Sequence, residues 1–497
     1  MKKIFLFSGA CLLLLIVVVF GLNSSLSAWV SFADEPELTD VNTNYEVEVE
    51  VYPDTKTGTG TMTIHTKNDT GQVQDRIFFQ VLANKFLDSD TLEGDEWKRM
   101  LGPYYESGGL EFEGIQVDGK DSEYTITDTM LEIPLDQWDV GEVINVSMDF
   151  TFKVPYNDGL FSYNNNSIYF ASWLPTRAVY NENGWYMNEF PPIGDPSYND
   201  MADYSVTVTI PKDHHLASTG QETAEPKVSK DKKTYSIHAE KVREFAMSVL
   251  DETFKVHSEK VDGITLRTWY TPKSKFQYSS FHLTAKNAIQ YFNESFGEYP
   301  YKEFEIVPGA RSFLGMEYPG FTLVHERLYN HYPDQLLKTI AHEVAHQWWY
   351  GAVGNHTIDD PWLDESLTSY STLQFLSEYY PNHANDELKK YEEKTDNLDE
   401  LKKNGQSITS STTEYSNSKE YVDLVYAVGP QMFYKLEEEI GVEKMNEALA
   451  HYYRANKDQF AEKEDLIEAF KMTIGPEAEE YFNEWLNNRP VTLAEVR

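Results

Sequence analysis

The feature that most constrains the fold of this chain is a helix-like segment that contains the sequence His-Glu-Val-Ala-His. Apolar residues recur through positions 334–350 at the three- and four-residue spacing of one helix face. Asp334 and Gly351 are residue types that begin and end helices, so the segment is predicted to form one helix. Residues four apart on a helix share a face. His342 and His346 can therefore present two imidazoles to one metal ion.

Glu343 adds a third functional group to this helix. It lies one residue beyond His342 and is close enough to reach a water on the metal without being a ligand. Two histidines on one helical face, with a glutamate as general base, form the arrangement that a zinc peptidase needs. A structural helix with two buried histidines would have the same motif, so this alternative stays open on the motif alone.

A third ligand is expected because catalytic zinc usually takes three protein ligands and leaves one position for water. Asp360 and Pro361 have the residue types of a helix start and predict a second helix, with Asp360 as its N-cap. Glu365 falls in its first turns. Two antiparallel helices joined by a short loop would bring Glu365 opposite the histidines. We therefore predict that His342, His346 and Glu365 bind one Zn²⁺ per chain.

The segments around these residues resemble the aminopeptidase N family of gluzincin metallopeptidases. The resemblance rests on HEVAHQWW at 342–349 and WLDES at 362–366. It extends to GMEYP at 315–319, which is similar to the family's exopeptidase motif, although Tyr318 replaces the usual Asn. The likeness covers roughly residues 45–490 and implies a peptidase that removes N-terminal residues from peptides.

The resemblance also implies how such an enzyme binds its substrate. Glu317 would bind the free α-ammonium of a peptide, so the expected partners are peptides with a free N-terminus. Gly315 and Met316 would allow a substrate strand to approach closely through backbone hydrogen bonds.

A tyrosine is expected to stabilise the oxyanion of the tetrahedral intermediate. The family places it in a Tyr-x-x-Gly context, which predicts Tyr426 for this role together with Glu343 as the catalytic base. The match is incomplete, because Val428 replaces the usual Lys, and Tyr421 is the alternative.

Charge and cysteine content restrict the remaining possibilities. The 497 residues have a formal net charge of −39, which argues against binding to nucleic acid and against electrostatic docking on anionic lipid. Cys11 is the only cysteine, so the chain has no intrachain disulfide, and its zinc ligands must be histidines and carboxylates. The sequence does not predict the oligomeric state.

The start of the chain resembles an export segment. Two lysines precede an apolar run over residues 4–22, and small residues follow it. Residues 1–33 are therefore predicted to be either a removed signal peptide or an uncleaved N-terminal membrane anchor. Both interpretations place the protein outside the cell, either secreted or anchored at the cell surface.

The remaining chain divides into two regions with different residue patterns, which together predict an α+β multidomain fold. Residues 42–260 contain segments in which polar and apolar residues alternate, as at 45–52 and 143–150. This pattern predicts an all-β domain of sandwich-like or saddle-shaped sheets. Residues 261–497 carry mainly helical patterns. Together with the zinc motif they resemble a thermolysin-like metallopeptidase domain.

The sequence therefore predicts an exported zinc aminopeptidase, with two alternatives. The stretch after Glu365 is short, which would leave the cleft more open and suit a zinc endopeptidase. The chain could instead be a non-catalytic surface binding protein that retains zinc for folding. The intact Glu343 argues against the latter, because a structural zinc site needs no base and is usually closed by a fourth protein ligand.

Overall fold

The computed structural model describes residues 41–187, 190–274, 278–309, 311–401, 403 and 405–496. The predicted export segment, residues 1–33, lies outside these ranges, so it stays a prediction. Among the described residues, no helix combines the length and the apolar character needed to cross a bilayer.

The first half of the chain forms a large, mostly antiparallel sheet. Alternate residues of the strand Thr43–Tyr52 are buried, as the period-two pattern predicts. This strand pairs in parallel with Ala202–Pro211 and antiparallel with Thr57–Lys67. Across the sheet the strands are ordered Gln221–Glu222, Lys232–Val242, Ala202–Pro211, Thr43–Tyr52, Thr57–Lys67, Val143–Lys153, Gly109–Val117 and Lys120–Asp121, and Lys227–Val228 also pairs with Lys232–Val242.

Two smaller sheets share a hydrophobic core with the large one. One contains, in order, His215–Ser218, Met247–Leu250, Ser167–Phe170 and Ser162–Tyr163. The other contains Thr176–Arg177, Gln74–Gln80, Met130–Trp138 and Thr125–Thr127. A short pair is formed by Tyr180–Asn181 and Gly184–Trp185. The predicted all-β region of packed sheets is thus confirmed.

A mixed sheet follows and leads to the functional site. Its strands are ordered Lys255–Val261, Ile264–Tyr270, Glu303–Gly309, Phe321–His325 and Gly315–Tyr318. The first two form a hairpin, in which Val261 pairs with Ile264. The predicted domain boundary between residues 260 and 261 falls within this hairpin, and the division into domains stays a prediction.

The second half of the chain is mainly helical, as predicted. Its helices pack around one continuous hydrophobic core. They are Tyr278–Ser295, Leu328–His331, Pro333–Ala345, Trp362–Tyr379, Pro381–Asp396, Leu398–Leu401, Ser418–Asp423, Gly429–Ile440, Val442–Asn456, Lys463–Ile474, Glu477–Leu486 and Leu493–Val496, and Asp95–Leu101 is an earlier helix within the β region. Val353–Gly354 pairs in parallel with Gln459–Phe460.

The first site helix, Pro333–Ala345, contains the motif from His342 to Ala345, and His346 is its C-cap, so it differs from the prediction at both ends. Tyr332, rather than Asp334, is its N-cap. Beyond Ala345 the backbone tightens, and the amide of Trp348 donates to the Ala345 carbonyl at 3.0 Å. Trp348 and Trp349 are buried even though they lie outside the helix. Their apolar spacing therefore wrongly predicted a longer helix.

The second site helix, Trp362–Tyr379, forms where the sequence predicted it. Its N-cap is Pro361, so the assignment of Asp360 as N-cap was wrong. Nearly the whole helix is buried, which places its first turns, including Glu365, inside the protein opposite the first site helix.

Candidate active site

His346 is held at the end of the first site helix by contacts to its other ring nitrogen. Its Nδ1 donates to the carbonyl oxygen of Trp349 at 3.1 Å, and the hydroxyl of Thr368 lies 3.2 Å away. This donation leaves Nε2 with the lone pair that a metal ligand needs. The tight turn after the helix therefore helps to orient a ligand, because it supplies the Trp349 carbonyl.

The three predicted ligands converge on one point. Glu365 Oε2 lies 3.1 Å from His342 Nε2 and 3.2 Å from His346 Nε2. The two Nε2 atoms are 3.1 Å apart. Ligands of a tetrahedral zinc lie about 2.0–2.2 Å from the metal and hence roughly 3.4 Å from one another. The spacing and chemistry of these atoms thus fit Zn²⁺.

The protonation behaviour of these groups also suits a cation. Burial lowers the pKa of His342 to about 4, so this imidazole is neutral, as a ligand must be. Burial raises the pKa of Glu365, but the charge of His346 and hydrogen bonds from both histidines lower it by more. Glu365 is therefore ionised. For His346, burial lowers the pKa, but Glu317 and Glu365 raise it by more, and a bound metal would replace that proton.

Glu343 lies beside the three candidate ligands and is not part of their cluster. Its side chain is buried, and the hydroxyl of Thr322 lies 3.5 Å from its Oε2. Burial is the largest influence on this carboxyl and raises its pKa to about 8. A carboxyl group with a pKa near neutrality can both accept and return a proton, which suits general acid–base catalysis.

Gly315 makes room for Glu343. A Cβ at position 315 would lie 1.9 Å from Oε1 of Glu343, so only glycine allows the observed position of that carboxylate. Gly315 begins the strand Gly315–Tyr318, which ends the mixed sheet, and the strand carries the buried Met316. The sequence predicted a role for Gly315 in substrate approach but missed this contact with the neighbouring helix.

Replacement of Gly315 by alanine is expected to reduce kcat for the expected peptide hydrolysis by about 10²-fold, because displacing a catalytic group by about 1 Å costs that much. Zinc content should not change, since the three atoms nearest to the added methyl group all belong to Glu343. Gly114→Ala is the matched control, because Gly114 also lies in a strand and a Cβ there meets nothing within 4 Å. Equal kcat values of the two variants in a peptide-hydrolysis assay would contradict the role of Gly315 in making room for Glu343.

Glu317 projects from the same strand to the ligand cluster. Its side chain is buried, and its Oε1 lies 3.9 Å from Nε2 of His346. Among the described residues, this oxygen has no hydrogen-bond partner. Burial raises the pKa of Glu317. A buried carboxylate oxygen without a partner is rare in proteins and indicates a missing donor.

Tyr426 also contacts the ligand cluster. Its hydroxyl donates to Oε1 of Glu365, and its ring stacks on that of His342 with centroids 5.8 Å apart. Tyr421 packs its ring edgewise against Tyr426, with centroids 5.5 Å apart. The structure thus brings Tyr426, rather than Tyr421, into hydrogen-bond contact with Glu365.

Tyr426 lies in a π-helical turn, Leu424–Val428, between two α-helices. Gly429 follows this turn, and a Cβ there would lie 2.0 Å from the hydroxyl oxygen of Ser366. That hydroxyl donates to the carbonyl of Val425 at 2.6 Å. The Tyr-x-x-Gly pattern therefore has a packing reason, because the glycine lets the turn approach the residue after Glu365.

Several buried acids near the ligands were missed by the sequence analysis. Asp364 accepts the Glu365 amide at 2.7 Å, and burial raises its pKa to about 8. Asp195 and Glu244 come from the β region, and Glu244 accepts the Tyr350 hydroxyl at 2.7 Å. In the sequence, Asp364 looks like an exposed acidic residue in the first turn of a helix. Asp195 and Glu244 belong to no local sequence motif. Only the folded chain brings them near the site.

Comparison with known proteins agrees with this geometry. Residues 281–485 match the Peptidase family M1 domain. Tricorn protease-interacting factor F2 of Thermoplasma volcanium is 24% identical over 325 residues, which are 62% of this chain and 40% of that protein. Aminopeptidase N of Haemonchus contortus is 23% identical over 323 residues, covering 59% of this chain and 33% of that protein. The alignments thus span less than half the length of these relatives.

A solved structure shares the fold. The M1 zinc metallopeptidase from Deinococcus radiodurans superimposes with a TM-score of 0.65 and 16% identity, covering 92% of this chain and 97% of that one. The chain thus has the fold of a solved zinc metallopeptidase, and its clustered His-His-Glu side chains fit a zinc cofactor. Through this match at residues 281–485, the chain is similar to the aminopeptidase N-like M1 family.

Proposed function

We propose that this protein is a zinc-dependent aminopeptidase, which removes single residues from the N-termini of peptides. The observation that carries the proposal is the buried Oε1 of Glu317. This oxygen has no partner among the described residues and lies 3.9 Å from the ligand His346. An α-ammonium group would supply the missing donor and would neutralise the buried charge. It would also fix the scissile bond one residue from the substrate's end.

In the proposed mechanism, His342, His346 and Glu365 hold the zinc ion. When bound, zinc supplies Lewis-acid activation of water and of the substrate carbonyl. Glu343 accepts a proton from the attacking water and returns it to the leaving amine. Its raised pKa of about 8 suits both transfers.

Tyr426 is the proposed hydrogen-bond donor to the developing oxyanion. Burial raises the pKa of Tyr426 well above its usual value, so its hydroxyl keeps the proton that it must donate. The strand Gly315–Tyr318 ends the mixed sheet, and its outer edge offers backbone groups to an extended peptide. A substrate aligned on this edge would place its N-terminus at Glu317.

We also propose that the enzyme acts outside the cell. This part of the proposal rests on the sequence of residues 1–33 alone, with their two lysines and apolar run. Fractionation of cells that express the full chain tests it, and recovery of the protein only from the cytoplasm would contradict it.

The first test compares one set of peptides with free and with acetylated N-termini. Full-length protein loaded with zinc is incubated with each, with and without a chelator, and the products are identified by mass spectrometry. We expect loss of single N-terminal residues from the free peptides only, and no cleavage after chelation. Internal cleavage of both sets would indicate an endopeptidase. No cleavage by zinc-loaded protein would favour a binding protein.

A Glu317→Gln variant tests the proposed ammonium contact. A hydrogen bond to a charged group contributes about 1.5–3 kcal/mol, so kcat/KM for free peptides should fall by roughly 10- to 100-fold. Zinc content should be unchanged, since Glu317 is not among the three clustered ligands. Glu111→Gln, an exposed carboxylate on a strand of the large sheet, is the control. An unchanged preference for free over acetylated peptides would refute the contact.

A further inference from the structure

We propose that the protein binds a second divalent transition-metal ion, at a site formed by His257, Glu259 and His282. The site uses none of the proposed catalytic residues. His257 and Glu259 lie on the first strand of the hairpin, Lys255–Val261, and His282 lies on the helix Tyr278–Ser295. Residues two apart on a strand point to the same side. The strand thus presents two potential ligands to a helix that supplies the third.

The three side chains are close enough to share one ion. One ligand atom from each lies within 4.8 Å of the other two. Glu259 Oε2 is 3.3 Å from His282 Nε2, a separation close to the roughly 3.4 Å expected between ligands of one zinc. The two imidazole rings have centroids 4.4 Å apart and lie at 82° to each other. Perpendicular imidazoles this close can direct two nitrogens at one point.

His282 is oriented as a metal ligand. The hydroxyl of Thr268 lies 2.9 Å from its Nδ1, so Nε2 is the nitrogen that faces Glu259. Histidine ligands in proteins are commonly fixed in this way through the second nitrogen. His282 is 5% exposed, so its ring is held in place by the surrounding protein. His257 is exposed, which gives an ion and its waters access from solvent.

Lys286 is the group that competes with a metal here. It lies one helical turn beyond His282, and its ammonium pairs with Oε1 of Glu259. Oε2 of the same carboxylate faces His282. The ion pair alone explains the position of Glu259 but not the approach of the two imidazoles. Two histidines with one carboxylate favour Zn²⁺, Cu²⁺ or Ni²⁺ over Mg²⁺ and Ca²⁺, which prefer oxygen ligands.

The structural effect of such an ion would be to link the hairpin to the helix. Any ligand that binds only the folded state stabilises it by mass action. The thermal midpoint of the zinc-loaded enzyme should therefore rise further when excess Zn²⁺ is added, independently of peptidase activity.

The test is isothermal titration of ZnCl₂ into full-length protein whose catalytic site is already loaded. We expect one further equivalent to bind, and a rise in Tm. His257→Ala should weaken this binding by at least about tenfold, the lower end of the effect of disturbing a metal's surroundings. It should retain the catalytic zinc and the peptidase activity. Because residue 257 is exposed, the variant should fold. His331→Ala, another exposed histidine, is the matched control and should leave both responses unchanged.

A second variant changes the affinity in the opposite direction. Lys286→Gln removes the competing ammonium, so it should bind the second Zn²⁺ more tightly than the native protein does. A second equivalent that persists in His257→Ala would overturn the proposal. Failure of the native protein to bind a second equivalent of Zn²⁺ would also overturn it, whether or not the Lys286→Gln variant binds one.

Discussion

Replacing Glu343 with glutamine is expected to leave the zinc bound and to lower kcat by about 10³-fold, within the range attributed to general acid–base catalysis. Glutamine keeps the shape of the side chain but has no basic oxygen. The ligands His342, His346 and Glu365 are untouched, and their mutual spacing of 3.1–3.2 Å does not depend on residue 343.

The same variant should be at least as stable as the native protein. Burial raises the pKa of Glu343 to about 8, which means that its ionised form is disfavoured in the folded state. A neutral amide does not carry this cost. Zinc content by elemental analysis, Tm and single-turnover kinetics separate the two effects. Near-normal turnover in a zinc-loaded Glu343→Gln protein would refute the assignment of the general base.

Replacing Tyr426 with phenylalanine is expected to lower kcat by about 10²- to 10³-fold, the usual loss when one oxyanion donor is removed. The phenyl ring can keep the stacking on His342, at 5.8 Å between centroids, so only the hydroxyl is lost. KM should change little, because the hydroxyl is proposed to act on charge that develops in the transition state.

Tyr421→Phe is the matched control for this experiment. Its ring packs against Tyr426 at 5.5 Å, so the substitution probes the same aromatic cluster without removing the hydroxyl that contacts Glu365. We expect less than about a tenfold loss of kcat, since no oxyanion donor is removed. If Tyr421→Phe lost more activity than Tyr426→Phe, the two tyrosines would exchange their proposed roles.

The clustering of the three candidate ligands was predictable because it depends on local periodicity. Residues four apart share a helix face whatever surrounds the helix, so His342 and His346 could be paired from the sequence. Glu365 followed from the antiparallel arrangement of two helices and a short loop. The alternation of polar and apolar residues likewise predicted strands such as Thr43–Tyr52.

What the sequence could not predict depends on contacts between distant segments. Gly315 is needed because of Glu343, which lies on another element, and no pattern near residue 315 reveals that neighbour. The first site helix ends at Ala345, and the tryptophans that follow it lie in a turn and are buried in the core. Their spacing in the sequence is equally compatible with a helix, so it could not reveal where the helix ends. Asp195 and Glu244 approach the site only through the packing of the β region.

The π-helical turn at Leu424–Val428 sets the angle around the helix axis at which the Tyr426 side chain projects. A π turn holds one residue more than the equivalent α-helical path, and each helical residue advances the side chain by about 100°. Loss of a single residue here would let the flanking helices, Ser418–Asp423 and Gly429–Ile440, run on as one. The tyrosine would then rotate off the face that meets Glu365. An insertion or deletion of one residue in this segment is therefore more damaging than most substitutions, because it changes the angle at which an intact side chain is presented.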